Sequence, residues 1–157
     1  MNTNKKPWLS MGLASGLGLG FFPWMPGTLA SLFCAAAAFF LARSMRIPLI
    51  LDIGILLLLI LLGLLCARHL VRKQGIKDPA WFVLDEISGM WLALLGLPKD
   101  RIPVLVAAFV LFRIFDILKP WVIRRVDEME NAGSIILDDL LAAVPAWVTA
   151  FLLSVLL

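Results

Sequence analysis

The chain has 157 residues, 62% of them hydrophobic, and a mean hydropathy of +0.98. Soluble domains are nearer ~45–50% apolar, so the composition excludes a water-soluble globule and points to one polytopic membrane domain, residues 1–157. The 14 basic and 11 acidic residues leave a net charge of +3, which suits an anionic membrane surface and is too scattered for a nucleic-acid-binding stripe.

Lys5 and Lys6 precede a long apolar stretch without a compact apolar core and cleavage site, so no removable signal is expected. No charge occurs from Pro7 to Ala42, yet GLASGLGLGFFPWMPGT interrupts this run with glycines and two prolines. Residues 11–20 therefore read as a short re-entrant or amphipathic segment. The Pro26-Gly27 turn starts a helix over 28–42, and a second span covers 47–67, with Asp52 near its start. About twenty apolar residues rising ~1.5 Å each cross a ~30 Å hydrocarbon core. The third apolar piece, 87–98, rises only ~18 Å, so to cross it must extend back to about Pro79 and carry Asp85 and Glu86 into the membrane. The fourth, 102–121, is long enough only with Arg113, Asp116 and Lys119 included, and the last, 140–157, starts beside Asp138 and Asp139. The expected fold is an all-α membrane bundle of about five spans plus the short N-terminal segment.

Basic residues set the orientation. Lys5, Lys6, Arg68, Arg72, Lys73, Lys77, Lys119, Arg124 and Arg125 fall on one face, nine in all, and Arg43, Arg46, Lys99 and Arg101 on the other, four in all. This predicts a cytoplasmic N-terminus and an external C-terminus. Trp8, Trp24, Trp81 and Trp121 fall near the cytoplasmic boundary, as an aromatic belt does. In this topology the Pro-Gly-Thr turn, Asp85-Glu86, the 113–125 segment and Asp138-Asp139 all come out at cytoplasmic ends.

A charge at membrane depth costs at least ~2.5–3.5 kcal/mol, so each cluster needs a reason. Arg113, Asp116 and Lys119 are spaced i, i+3, i+6 and share one helix face. They form either an internal salt bridge between helices or part of a site. Pro120 limits that helix near Lys119. Arg124 and Arg125 at the interface are ordinary cytoplasmic charge or forks for phosphate oxygens. Neighbours on a helix point ~100° apart, so one acidic pair cannot clamp an ion alone, whereas Asp85-Glu86 and Asp138-Asp139 on facing helices can. Such oxygen ligands suit Mg²⁺, which takes carboxylates, waters and substrate phosphate together. Asp138-Asp139 also suits an acidic first helical turn. Thr28 is either a helix cap or part of an anion-binding helix start. His69 is the only histidine, which excludes two-histidine catalysis. Cys66 and Arg72 have the C-x5-R spacing of cysteine phosphatases, but that segment has no glycine and continues a helix. Acidic pairs beside basic residues at one membrane face point to metal-assisted chemistry on a phosphate-bearing lipid. A transporter of cations or lipids is the alternative; it uses intramembrane carboxylates but has less use for the adjacent Arg and Lys.

Four motifs in order, PGTLAS at 26–31, LDEISGMW at 84–91, FRIFDILKPWVIRRVD at 112–127 and ILDDLLAA at 136–143, resemble the phosphatidylglycerophosphatase A family over residues 12–143. The chain departs from the usual pattern at Ala30, where glycine is common, at Val122, where proline is, and in a less glycine-rich 131–134 turn. The resemblance implies an all-helical bundle in a bacterial inner membrane and Mg²⁺-dependent removal of a terminal phosphomonoester from a phospholipid at a site facing the cytoplasm. On the matching positions, Asp85, Glu86, Asp138 and Asp139 are expected to hold metal. Arg113, Lys119, Arg124 and the helix end at Thr28 are expected to bind the phosphate. Asp116 is a further ligand or the group that orients water, with a covalent aspartyl-phosphate left open, and Asp127 is expected to orient Arg124.

Overall fold

The computed structural model describes residues 7–74, 79–129 and 131–156, with backbone alone for 7–10, 71–74 and 127. Among the described residues the fold is all-helical, with seven α-helices, one 3-10 turn and no strand. Lys5, Lys6 and Lys77 lie outside the described residues, as do the side chains of Trp8, Arg72, Lys73 and Asp127.

The N-terminal segment is α1 (Pro7–Ala14), followed by left-handed Gly16, Leu17 and Gly18 and a 3-10 turn at Leu19–Phe21. Met25 is also left-handed, and Pro26 opens α2 (Pro26–Ser44) at a position where its missing N–H leaves no broken bond. α3 (Leu49–Gln74) follows a short turn. α2, residues Leu49–Leu70 of α3, and α7 (Ser134–Leu156) are long and apolar enough to cross a membrane. Their exposed side chains, including Phe40, Leu57, Leu58 and Leu152, are large and apolar, as surfaces in contact with lipid tails are.

The third expected span differs in form. α4 (Leu84–Ala93) has ten residues, a rise of ~15 Å, and does not reach back to Pro79. Residues 79–83 are irregular instead, because the Val83 N–H donates to the Ala14 carbonyl at 2.9 Å rather than to a preceding turn of its own helix. Irregular backbone at membrane depth is tolerated where protein covers it, and Phe82 and Val83 are buried. α4 starts beside Gly63 of α3 and its following turn reaches Asp52 of α3, so it runs antiparallel to α3.

α5 (Ile102–Leu118) ends at Lys119, whose left-handed backbone turns the chain into Pro120 and the short α6 (Trp121–Asp127). α7 begins six residues before the expected 140. The cause is Asn131, whose side-chain oxygen accepts the N–H groups of Gly133 and Ser134 at 2.8 and 3.0 Å and so caps the helix early. α4 and α5 pack most closely on α7, and α2 and α3 close around α4. Gly89 marks the meeting point: a Cβ there would stand 2.7 Å from the Phe112 ring and 3.0 Å from the Asp139 carbonyl. Small residues let helix backbones approach in membranes, and α7 presents Ala142, Ala143, Ala146 and Ala150 to the core, all fully buried.

Candidate functional site

The polar clusters from four distant parts of the chain meet at one place, the start of α2, the start of α4, the end of α5 and the second turn of α7. Asp85, Glu86 and Asp139 each bring a carboxylate oxygen within 4.8 Å of the others. Asp85 Oδ1 accepts the Glu86 N–H at 2.9 Å. The first turn of α4 has free N–H groups, so Asp85 folds back to one of them and comes to lie on the same side as the longer Glu86. That local geometry lets adjacent residues serve one centre, against the simple expectation that they diverge.

Glu86 lies hard against Gly27 at the start of α2: a Cβ at Gly27 would overlap its Oε1. A carboxylate is favoured there by the positive end of the helix dipole. The α2 helix end expected to receive phosphate is therefore already shared with Glu86. Ser31, one turn on, donates to the Gly27 carbonyl at 2.9 Å and is approached at 3.5 Å by Arg113 Nη1.

Arg113 and Asp116 form an ion pair at 2.8 Å and are largely buried. The pair stands in the site rather than apart from it: Asp116 is within hydrogen-bonding reach of Asp139, and Arg113 is close enough to Glu86 to interact electrostatically. Both readings of this pair, internal salt bridge and site component, thus describe the same side chains. Lys119 Nζ meets Asp138 Oδ2 at 2.8 Å, linking the end of α5 to α7. Asp138 faces this lysine and is not among the three converging carboxylates, so the expected four-carboxylate set divides into a trio and an ion pair. Arg124 is on α6, 73% exposed, and pairs with Glu128 Oε1 at 3.2 Å. The partner it finds is Glu128; the Asp127 side chain lies outside the described residues.

Two features make the cluster a candidate cation site. The first is charge: Asp85, Glu86, Asp116, Asp138 and Asp139 are five acids against two bases, Arg113 and Lys119. Buried like charges of this density repel strongly, and a divalent cation relieves the excess. The second is a set of buried polar atoms without a hydrogen-bond partner among the described residues: Glu86 Oε2, Asp139 Oδ2, Arg113 Nε and Thr28 Oγ1. Native interiors leave few such groups, so two acceptors and two potential donors left open together fit a cation and an oxyanion. Three carboxylate oxygens within 4.8 Å of one another are the kind of hard oxygen donors that suit Mg²⁺.

One buried ion pair escaped sequence reasoning. At the far end of α3, Lys99 Nζ and Asp52 Oδ2 are 2.6 Å apart, 3% and 2% exposed, and Asp52 also accepts the Gly96 N–H at 2.8 Å. The residues are 47 positions apart and each reads as an ordinary end-of-span charge, so no local signal joins them.

Residues 12–154 match the family model for Phosphatidylglycerophosphatase A. The chain is 37% identical over 133 residues to "Phosphatidylglycerophosphatase A" of Escherichia coli (strain K12), covering 84% of this chain and 76% of that protein. It is 36% identical over 140 residues to the Haemophilus influenzae protein of the same name, covering 88% and 85%. A Bacteroides thetaiotaomicron protein named "Putative phosphatidylinositol-3-phosphatase" is 34% identical over 151 residues, covering 92% and 93%. No solved structure matches.

Proposed function

Since the chain belongs to the phosphatidylglycerophosphatase A family, we propose that it hydrolyses the terminal phosphomonoester of phosphatidylglycerophosphate to phosphatidylglycerol and inorganic phosphate, with Mg²⁺, at the cytoplasmic face of a bacterial inner membrane. The observation that carries this reading is the convergence of the acidic trio with Arg113, Asp116 and Lys119 around open buried donors and acceptors.

Asp85, Glu86 and Asp139 would hold Mg²⁺, which when bound offsets negative charge on the phosphoryl oxygens. Arg113, through its open Nε, and Thr28, through its hydroxyl, donate to phosphate oxygens. Lys119 adds positive charge from the α5 end while Asp138 holds its ammonium in place. Arg124, exposed on α6, attracts the doubly anionic headgroup as it approaches. Asp116 orients the attacking water and takes its proton as the water oxygen bonds to phosphorus. The ester P–O bond breaks, and the proton passes to the departing glycerol oxygen. The paired Arg113 keeps Asp116 aimed. Asp139 reaches both the trio and Asp116, so it would serve metal binding and help place the catalytic Asp116.

The whole chain would act as one membrane domain of five crossings: α2, α3, the irregular 79–83 stretch with α4, α5, and α7. The bias of basic residues supports a cytoplasmic site, and the membrane position lets a headgroup reach the cluster while its tails stay among lipids. Transport is not favoured, because cationic groups beside the trio have a use in binding phosphate and little in passing cations.

Phosphate release by the purified protein tests the reading. With phosphatidylglycerophosphate and Mg²⁺ the protein should turn over, and Asp139→Asn should lower the rate by ~10²–10³ with helical content retained. A parallel assay with phosphatidylinositol 3-phosphate is worth running because of the name of the Bacteroides relative. Release from that lipid alone would move the assignment to another headgroup, and release from neither, with transport intact, would favour the alternative.

A further inference from the structure

Resting on the phosphatase reading, we infer that the cleft between the start of α2 and the second half of α5 seats one acyl chain of the lipid substrate, and so sets the depth at which its phosphate meets the site. The cleft encloses about 420 Å³, within the ~300–1,000 Å³ common for ligand pockets. Its walls are apolar, with Met25 from α2 and Phe109, Val110 and Ile117 from α5, apart from two side chains, Thr28 and Arg113. Those two carry the buried hydroxyl and Nε that lack partners among the described residues, and Arg113 is tied directly to Asp116. Arg113 stands midway along the α5 wall, between Phe109 and Leu118, so one side of the cleft carries a cationic, donor-bearing part of the site.

The other boundary opens outward. Met25, Val110 and Ile117 are exposed, and the large side chains exposed beside them on α2 and α5, among them Leu32, Phe33, Val106 and Ile114, are apolar. Val110 and Phe109 precede Arg113 by three and four residues, one helical turn or ~5.4 Å toward the middle of α5. A ligand with its anion at Arg113 and its body along this wall must be an amphiphile running into the bilayer. Charge complementarity at the head and an apolar channel at the tail describe a phosphomonoester lipid; neither a soluble phosphate ester nor a neutral lipid uses both. The occupant is one chain, entering sideways from the bilayer, because the cleft lies between only two helices and is open along its length.

The test places a bulky side chain in the channel. Val110→Trp is compared with Leu57→Trp, an equally apolar change on the exposed face of α3 away from the cleft, using diacyl phosphatidylglycerophosphate and its deacylated, water-soluble counterpart. Val110→Trp should raise KM for the diacyl substrate about tenfold, as lost ground-state binding does, and leave the deacylated substrate unchanged; Leu57→Trp should alter neither. Equal loss on both substrates, or no change on either, would overturn the proposal. A second readout needs no turnover: a benzophenone side chain at Val110 should capture phosphatidic acid in preference to phosphatidylcholine, and one at Leu57 should capture both alike. Preferential capture by a protein that releases no phosphate would remove the phosphatase reading and keep the cleft. Indiscriminate capture at Val110, or capture of a second copy of the chain, would remove the cleft.

Discussion

Gly27 shows how much a single position contributes to the site. Its lack of a side chain lets the Glu86 carboxylate sit against the first turn of α2, where any Cβ would overlap it. Gly27→Ala must push either Glu86 out of the trio or α2 away from α4. Overpacking of this kind costs ~1–3 kcal/mol, and displacing one preorganised charged group commonly costs ~10²–10³ in rate. Phosphate release by Gly27→Ala should therefore fall about a hundredfold or more, from the lower end of that range. Gly54→Ala is the control: it lies in α3 with nothing near its would-be Cβ, and should keep activity while gaining ~0.8–1.0 kcal/mol of helix propensity. A Gly27→Ala protein of normal activity would show that Glu86 has no part in the centre. The candidate side chains were legible in the sequence because charges in apolar runs stand out; Asp85, Glu86 and Asp139 come together, Arg113 and Asp116 stand beside them, and Lys119 joins through its pair with Asp138. The Gly27–Glu86 contact was not legible, since it depends on the register of two helices nearly sixty residues apart. The division of Asp138 from Asp139 was not legible either. It follows from which side of α7 faces Lys119, and that depends on where α5 ends.

Elements were recovered better in their middles than at their ends. The helices expected at 28–42 and 47–67 exist as Pro26–Ser44 and Leu49–Gln74, because apolar length identifies them. α7 begins early because a side-chain cap at Asn131 outweighs the apparent start of the apolar run. As a result Asp138 and Asp139 stand inside the helix wall, buried, instead of in an exposed first turn. α4 was mis-sized for a related reason: hydropathy reports that a segment is buried and cannot say that its first part is irregular chain packed on α1. What fixes the other end of α4 is the Asp52–Lys99 pair, which joins the start of α3 to the turn between α4 and α5. Lys99→Met would leave Asp52 buried without its cation, a loss of ~3–5 kcal/mol for a broken buried pair. The thermal midpoint in detergent should drop clearly, while phosphate release per folded molecule stays near normal, because the pair stands at the opposite end of α3 from the trio. An unchanged midpoint would show that this pair does not hold the elements together.

At the scale of the whole molecule, the helices form a membrane scaffold whose polar contents are gathered at one end, with the second buried ion pair at the other. The bias of basic residues puts the site on the cytoplasmic side if the scaffold inserts as that bias directs, and labelling tests it. The native Cys34 and Cys66 are buried, so a membrane-impermeant maleimide should report only introduced thiols. Ser44→Cys, at the end of α2, should react from outside intact cells, and Met129→Cys, after α6, only once the membrane is opened; the reverse pattern would place the site on the external face. The central claim is that the acidic trio is a metal centre for phosphate chemistry. Five carboxylates against two bases leave an acidic excess that a bound divalent cation would offset as a phosphate dianion approaches. The most direct measurement is phosphate release from phosphatidylglycerophosphate by chelator-treated protein as Mg²⁺ is added back. Activity should be absent in chelator and return saturably with Mg²⁺, with the helical signal unchanged throughout. Full turnover in chelator would contradict the assignment of Asp85, Glu86 and Asp139 as a metal centre.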